Sequence, residues 1–203
     1  RRYPRSKVLL TVYAWFLCRS GRPASARRML LKALAEATLS VEERATILGS
    51  LAGLPLFWDC PEYLREADAW SRQALDLQPD DLALKGTRGA VLVKRGRVSE
   101  GRSLLKEAFE RSAQAHDRSI FACYLALAAS KRGNARTAEG LLESAEKEHP
   151  DCPVQKKLAD RISFQIGRRA GSRRRPRLHG TTRGGAARSQ GRNFSGPGVS
   201  KKA

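Results

Sequence analysis

The chain has 203 residues, 39 basic against 20 acidic side chains, a net charge of +19 and 41% hydrophobic residues. Its most apolar stretch, Val8 to Cys18, is eleven residues long, and a bilayer span needs about 20. The cysteines at 18, 60, 123 and 152 form no Cys-x-x-Cys pair, which argues against a zinc knuckle, and no window alternates Val, Ile and Thr as a strand would.

From the N-terminus, Arg1-Arg2-Tyr3-Pro4-Arg5-Ser6-Lys7 is basic, the apolar run follows, and Ala24-Ser25-Ala26 has the form of a small-residue cleavage site. Together these imitate a secretory signal, although Arg19 and Arg22 interrupt the approach to the cleavage site. The competing reading is a first helix packing through Leu10, Tyr13, Ala14 and Leu17, a turn at Gly21, and a returning face of Ala26, Leu30 and Ala33. The absence of an initiating methionine suggests a piece of a longer protein, in which these helices would serve as a regulatory module, membrane-bound or not. Ser40 followed by Glu43 predicts a capping box and a helix from Val41. Pro55 is expected to end or kink that helix, leaving Leu56-Phe57-Trp58-Asp59-Cys60 as an apolar loop before a new start at Pro61. Further on, Gly89 marks a close helix contact and Gly96 and Gly133 mark turns, while Leu104, Leu105, Ala108 and Phe109 share one helical face. After Pro153, apolar residues Val154, Leu158 and Ile162 recur at four-residue steps.

One spacing unites these segments. Leu10, Leu51, Lys85 and Ala122 each precede a small residue by 16 positions: Ala26, Ala67, Gly101 and Ala138. Seven residues beyond each stands Ala33, Ala74, Ala108 or Ala145, and Pro79 and Pro150 close two of the blocks. The pattern resembles the tetratricopeptide repeat (TPR), a helix–turn–helix unit whose tightest contacts demand small side chains. The small positions lie 41, 34 and 37 residues apart, so only one interval equals the family's 34-residue period, and the large aromatic that usually opens a repeat is missing from all four blocks. The resemblance covers roughly residues 7–166. It implies an all-α, right-handed superhelical solenoid of about four hairpins within residues 1–152 (7–40, 41–81, an 82–115 block and 119–152), a capping helix at 153–166 and a disordered basic tail at 167–203.

The resemblance also implies a protein–protein interaction scaffold whose first helices line a concave groove for a partner peptide. The residues it would present there include Trp15, Arg19, Thr87, Ala90, Lys94, Tyr124, Leu127 and Lys131, with Gly86, Val93 and Cys123 among their neighbours. That surface is small or apolar with basic edges, and it has no asparagine of the kind that grips chaperone tails. The expected ligand is therefore another protein or a peptide with apolar anchors and an acidic flank. All 20 acidic residues precede position 161, whereas 167–203 holds nine arginines and two lysines. Such a tail is either a solvated extension, an import signal, a patch for acidic lipids, or a nucleic-acid contact through Arg173, Arg174, Arg175, Arg177 and Arg183. An RNA- or DNA-associated adaptor is thus an alternative to the scaffold. No catalytic context surrounds any serine, cysteine or histidine, and His149 with Cys152 supplies only two metal ligands. The expectation is a non-enzyme without metal, cofactor or small-molecule substrate. Its setting is expected to be cytoplasmic, since no pairing of the cysteines is suggested.

Overall fold

The computed structural model describes residues 7–58, 60–150, 154 and 156–164, and the segments with regular structure among them are all helical. In chain order these are α1 (Lys7–Arg19), α2 (Pro23–Leu34), α3 (Val41–Phe57), a 3₁₀ turn (Pro61–Tyr63), α4 (Leu64–Leu77), α5 (Leu82–Lys94), α6 (Val98–Arg111), α7 (Ala115–Lys131) and α8 (Ala135–Glu148). A last helix, α9, has residues 156–164 as its described part. The tail arginines proposed for nucleic acid lie outside the described residues.

Local chemistry sets the helix boundaries. The Ser40 hydroxyl accepts the Glu43 N–H at 3.1 Å while the Glu43 carboxylate accepts the Ser40 N–H at 2.9 Å, the reciprocal box that starts α3. The Asp81 carboxylate accepts the Leu84 N–H at 2.9 Å and starts α5. Pro23 and Pro61 occupy first-turn positions, where a missing N–H leaves nothing unpaired. At the other ends, Gly21, Gly96 and Gly133 have φ of 72°, 92° and 85°, a left-handed conformation that glycine adopts without steric cost. Each of these turns closes with the same pair of bonds. The glycine N–H donates three residues back (to Cys18, Val93 and Ser130), and the next N–H donates five back (to Leu17, Leu92 and Ala129).

Helices then pack as hairpins, α1 on α2, α3 on α4, α5 on α6 and α7 on α8, and each hairpin packs on the next. The first helices also touch in series, α1 to α3 to α5 to α7. Small residues make the crossings possible. Ala26, Ala67 and Ala138 are fully buried, and a Cβ at Gly101 would lie 2.5 Å from the Gly89 carbonyl oxygen, so side chains larger than hydrogen cannot occupy this crossing without moving backbone. Val154, Leu158 and Ile162 complete the core together with α7 and α8 residues such as Tyr124, Ala138 and Ala145.

Two expectations need correction. Tyr13 does not share the packing face of α1. It is exposed, and the buried stripe is Leu10, Ala14 and Cys18, one residue every four. Pro55 does not end α3, which continues to Phe57 with Leu56 buried. A proline in the final turn removes only its own N–H, so the helix loses one bond there rather than its continuity. The carbonyls of that turn find distant donors instead: the Lys94 ammonium for Pro55, and the Tyr124 hydroxyl, at 2.8 Å, for Leu56.

A polar network invisible to the spacing argument ties α4 to α5. Arg88 is buried and its Nη1 donates to the Asp68 carboxylate (2.5 Å), the Asp68 carbonyl (2.8 Å) and the Ser71 hydroxyl (3.1 Å), while Arg95 reaches the other Asp68 oxygen. Burial on its own would raise the pKa of Asp68. The hydrogen bond and charge of Arg88, joined by Arg95 and Arg72, outweigh it and hold the carboxyl below the usual aspartate range.

Candidate binding groove

The ends of α1 and α3 bring four aromatic rings to one region, Trp15 and Phe16 exposed and Phe57 and Trp58 half-buried. In α1, Trp15 is exposed, with Phe16 edge-on at 5.5 Å and the Arg19 guanidinium 4.7 Å from the centre of its ring. In α3, Phe57 and Trp58 sit edge to face with centroids 5.8 Å apart. Because α3 overruns Pro55, these two rings stand at the point where the other hairpins turn away on a glycine.

Cavities converge on this segment. One, of about 320 Å³, lies between α1, α3 and the start of α5, with Trp15, Cys18, Phe57, Trp58, Ala83 and Thr87 in its wall. A larger one, of about 640 Å³, runs from Trp15, Cys18 and Arg19 past Phe57 and Trp58 to His116 and Ile120 of α7 and to Val154 and Lys157. Two others, of about 360 and 350 Å³, flank the same segment, the first walled by Pro55, Leu64, Lys94, Leu127, Lys131 and Arg161, the second by Leu56, Phe57, Trp58 and residues of α9. Every one of these four cavities uses a residue between 54 and 61.

The charge around them is mostly positive. Arg19, His116 and Lys157 border the largest cavity, and Lys94, Lys131 and Arg161 border the one beside Pro55. Partial burial, and then the neighbouring Arg161 charge, push the Lys131 ammonium below the ordinary lysine range. Among the described residues, Asp81 and Asp160 are the acidic ones in these walls. Burial, reinforced by Cys60, pushes the Cys18 thiol up to about 11, so it lines the 320 and 640 Å³ cavities as a neutral, apolar group and not as a thiolate nucleophile.

Of the residues expected to face a ligand, Trp15, Arg19 and Thr87 line the 320 and 640 Å³ cavities. Ala90 and Tyr124 do not face a groove. Both are core, Tyr124 fully buried with its hydroxyl committed to Leu56. Leu127 is also buried, although its edge reaches the cavity beside Pro55. Lys94 and Lys131 line that cavity too, but their ammonium groups are tied to helix ends, Lys94 to the Pro55 carbonyl and Lys131 to the Val93 and Lys94 carbonyls at 2.8 and 3.3 Å. Among their neighbours, Val93 and Cys123 are core, and Gly86 lies directly under the Phe121 ring, where a Cβ would come within 2.0 Å of it. The first helices α5 and α7 are covered by their own second helices and by the helices of the preceding hairpin, and so expose only a narrow strip. Phe57, Trp58, Cys18 and Lys157 were not anticipated. The signal for the first two was the apolar triplet Leu56-Phe57-Trp58, too greasy for a solvated loop.

No family model matches the sequence. No curated protein matches it either. Among solved structures, the chain is similar to one described as the MamA RS-1 ArsTM double mutant, at 19% identity and a TM-score of 0.48, over 85% of this chain and 99% of that one. A likeness at that level carries no argument. The groove is therefore judged on its own residues. No helix among the described residues is long and apolar enough to cross a membrane.

Proposed function

We propose that this chain is a tetratricopeptide-like interaction scaffold that binds rather than catalyses, holding a peptide with large apolar anchors and an acidic flank. The observation that carries this reading is the grouping of Trp15, Phe57 and Trp58 around two adjoining cavities whose rim bears Arg19, His116 and Lys157. Accessible aromatic rings beside a concavity supply apolar contact area at low conformational cost, and such residues dominate binding energy at interfaces. The basic rim favours a partner with carboxylates next to its anchors, and long-range attraction would raise its rate of encounter.

Selection of random peptides displayed on phage against the full chain tests the proposal. Recovered sequences should combine an aromatic or aliphatic pair with Asp or Glu. Trp58→Ala should weaken their binding by at least about thirtyfold, the effect of removing an interfacial hot spot, as read by titration calorimetry. Unaltered helix content in the variant keeps the test meaningful. Peptides that bind Trp58→Ala as tightly as the parent chain would overturn the assignment of the groove.

A further inference from the structure

The helices of this chain do not share one kind of outer surface. On α2 the exposed positions include Arg28 and Lys32, on α4 Arg65, Glu66, Arg72 and Asp76, on α6 Arg102, Lys106 and Glu110, and on α8 Arg136, Glu139, Glu143 and Lys147. On α1, apart from Arg19 at its end, they are Leu9, Val12, Tyr13, Trp15 and Phe16, and between Leu9 and Cys18 there is no charged residue. Five of the seven large apolar side chains exposed among the described residues belong to this one helix, the others being Val41 and Phe164. Leu9 and Phe16 are 56% and 57% exposed, far more than a core residue at the edge of a fold would be. Leu9, Val12, Tyr13 and Phe16 stand at steps of three and four, so they form a single stripe, opposite the Leu10, Ala14 and Cys18 stripe that holds α1 to the rest of the fold.

The charge of the sequence around this helix selects its occupant. The first 35 residues contain nine lysines and arginines (Arg1, Arg2, Arg5, Lys7, Arg19, Arg22, Arg27, Arg28 and Lys32) and no acidic residue. A second copy of the chain would bring two such regions together, with like-charge repulsion across the contact. An anionic surface is attracted instead, at about 1 kcal/mol per basic residue near a membrane rich in acidic lipid. A helix of 13 residues is roughly 20 Å long and cannot cross a hydrocarbon core of about 30 Å, but it can lie along the interface with its apolar stripe below the headgroups and its cations among them. Tyr and Trp are the residues that prefer that depth.

We propose that the outer face of α1, through Leu9, Val12, Tyr13 and Phe16, is a docking surface for an anionic lipid bilayer, on which the chain lies without spanning it. The stripe adjoins the groove, since Phe16 meets Trp15 edge-on, but Trp58 takes no part in it, so Trp58→Ala should leave lipid binding at the parent level.

The test is co-sedimentation of the full chain with phosphatidylcholine vesicles and with vesicles containing about 30% phosphatidylserine, beside the double variant Val12→Glu, Phe16→Glu. These side chains are exposed, so the variant should keep its helical spectrum. The parent chain should sediment with the anionic vesicles and much less with the neutral ones. The variant should partition at least about tenfold more weakly, because two apolar side chains no longer leave water. Equal binding by parent and variant would mean that the arginines of the C-terminal tail perform the adsorption, and would overturn the proposal. So would the absence of parent binding to either vesicle. Light scattering supplies the remaining outcome: a parent dimer that the variant converts to monomer would assign the stripe to a second copy and overturn the lipid surface.

Discussion

The second hairpin, α3–α4, and the two that follow it solve the same problem in different ways. In α5–α6 and α7–α8 the first helix stops at a left-handed glycine, and two backbone N–H groups from the turn satisfy its last carbonyls. In α3–α4 no glycine is available. The helix overruns a proline, bends into extended backbone at Trp58, and restarts through the 3₁₀ turn at Pro61. Its terminal carbonyls are satisfied by Lys94 and Tyr124, from the two hairpins that come after it. The turns of the regular hairpins are thus closed by their own backbone, with Lys131 adding bonds to the carbonyls at the end of α5. The irregular turn has no such backbone pair and relies on side chains from both hairpins that follow it. Every cavity of the candidate groove adjoins this irregular segment. Regularity builds the frame, and the lapse in it builds the site.

The largest effect expected from breaking this relation is at the junction between the two kinds of hairpin. Asp68→Ala leaves Arg88 buried with a charge that only the Asp68 carbonyl and Ser71 hydroxyl can approach, and should cost roughly 3 kcal/mol in urea denaturation, the low end for breaking a buried pair. The acid limb should change as well. Since the folded chain holds the Asp68 carboxyl below its ordinary value, the unfolded chain takes up that proton first as pH falls. The contribution of Asp68 is therefore complete above about pH 4 and fades as pH drops through the folded value. Between about pH 4 and pH 2 the stability of Asp68→Ala should fall less steeply than that of the parent. Parallel acid limbs would show that the network is not what couples α4 to α5.

Next in size is the regular contact. Gly101→Val places atoms against the Gly89 carbonyl and the Val93 backbone and should destabilise by about 2 kcal/mol, because a backbone crossing cannot yield as a flexible side chain can. Gly140 is the control. It lies inside α8 with nothing near a potential Cβ, so Gly140→Ala should stabilise by about 0.5–1 kcal/mol. Opposite signs for two helical glycines in one denaturation series would separate a packing glycine from an incidental one.

The same distinction explains what the sequence could reveal. Ala26, Ala67, Gly101 and Ala138 stand out because a helix crossing imposes a size limit at one position, and the limit recurs sixteen residues after Leu10, Leu51, Lys85 and Ala122. The glycine turns are legible for a similar reason: a left-handed residue is a local demand on the chain. The capping box at Ser40 needs only three intervening bonds. By contrast, Ala90, Tyr124 and Leu127 were assigned to the groove because one-dimensional periodicity shows which face of a helix is apolar but not how many neighbours cover it. In α7 the residues 121–130 are all buried, so no face is left over. Lys94 and Lys131 look like ligand-binding cations until the carbonyls they reach, 37 to 39 residues earlier, are in place. The Arg88–Asp68 pair, 20 residues apart, is hidden for the same reason. Phe57 and Trp58 were visible as anomalies, apolar residues in a presumed loop, and it is the anomaly that marks the site.

The smallest effect is the most informative about how frame and site are joined. Tyr124 lies in the core, lines none of the four cavities, and meets the irregular segment through its hydroxyl. Tyr124→Phe keeps the ring and its packing but leaves the Leu56 carbonyl without that donor, at a cost of about 1 kcal/mol. The loss should be local. Trp58 donates its own N–H to Leu54 at 3.1 Å, in the turn that Leu56 helps to anchor, so the Trp58 amide should exchange with solvent hydrogen several times faster in the variant. The amides of Arg97 and Asn134, which close the glycine turns from within their own hairpins, should exchange at the parent rate. Peptide affinity at the groove should fall with the Trp58 amide's protection, because a less ordered Trp58 must lose more freedom on binding. If Trp58, Arg97 and Asn134 all accelerate together, the variant has destabilised the whole fold, and the second hairpin is no more dependent on its neighbours than the others. If Trp58 alone responds, a buried hydroxyl two hairpins away sets the order of the groove.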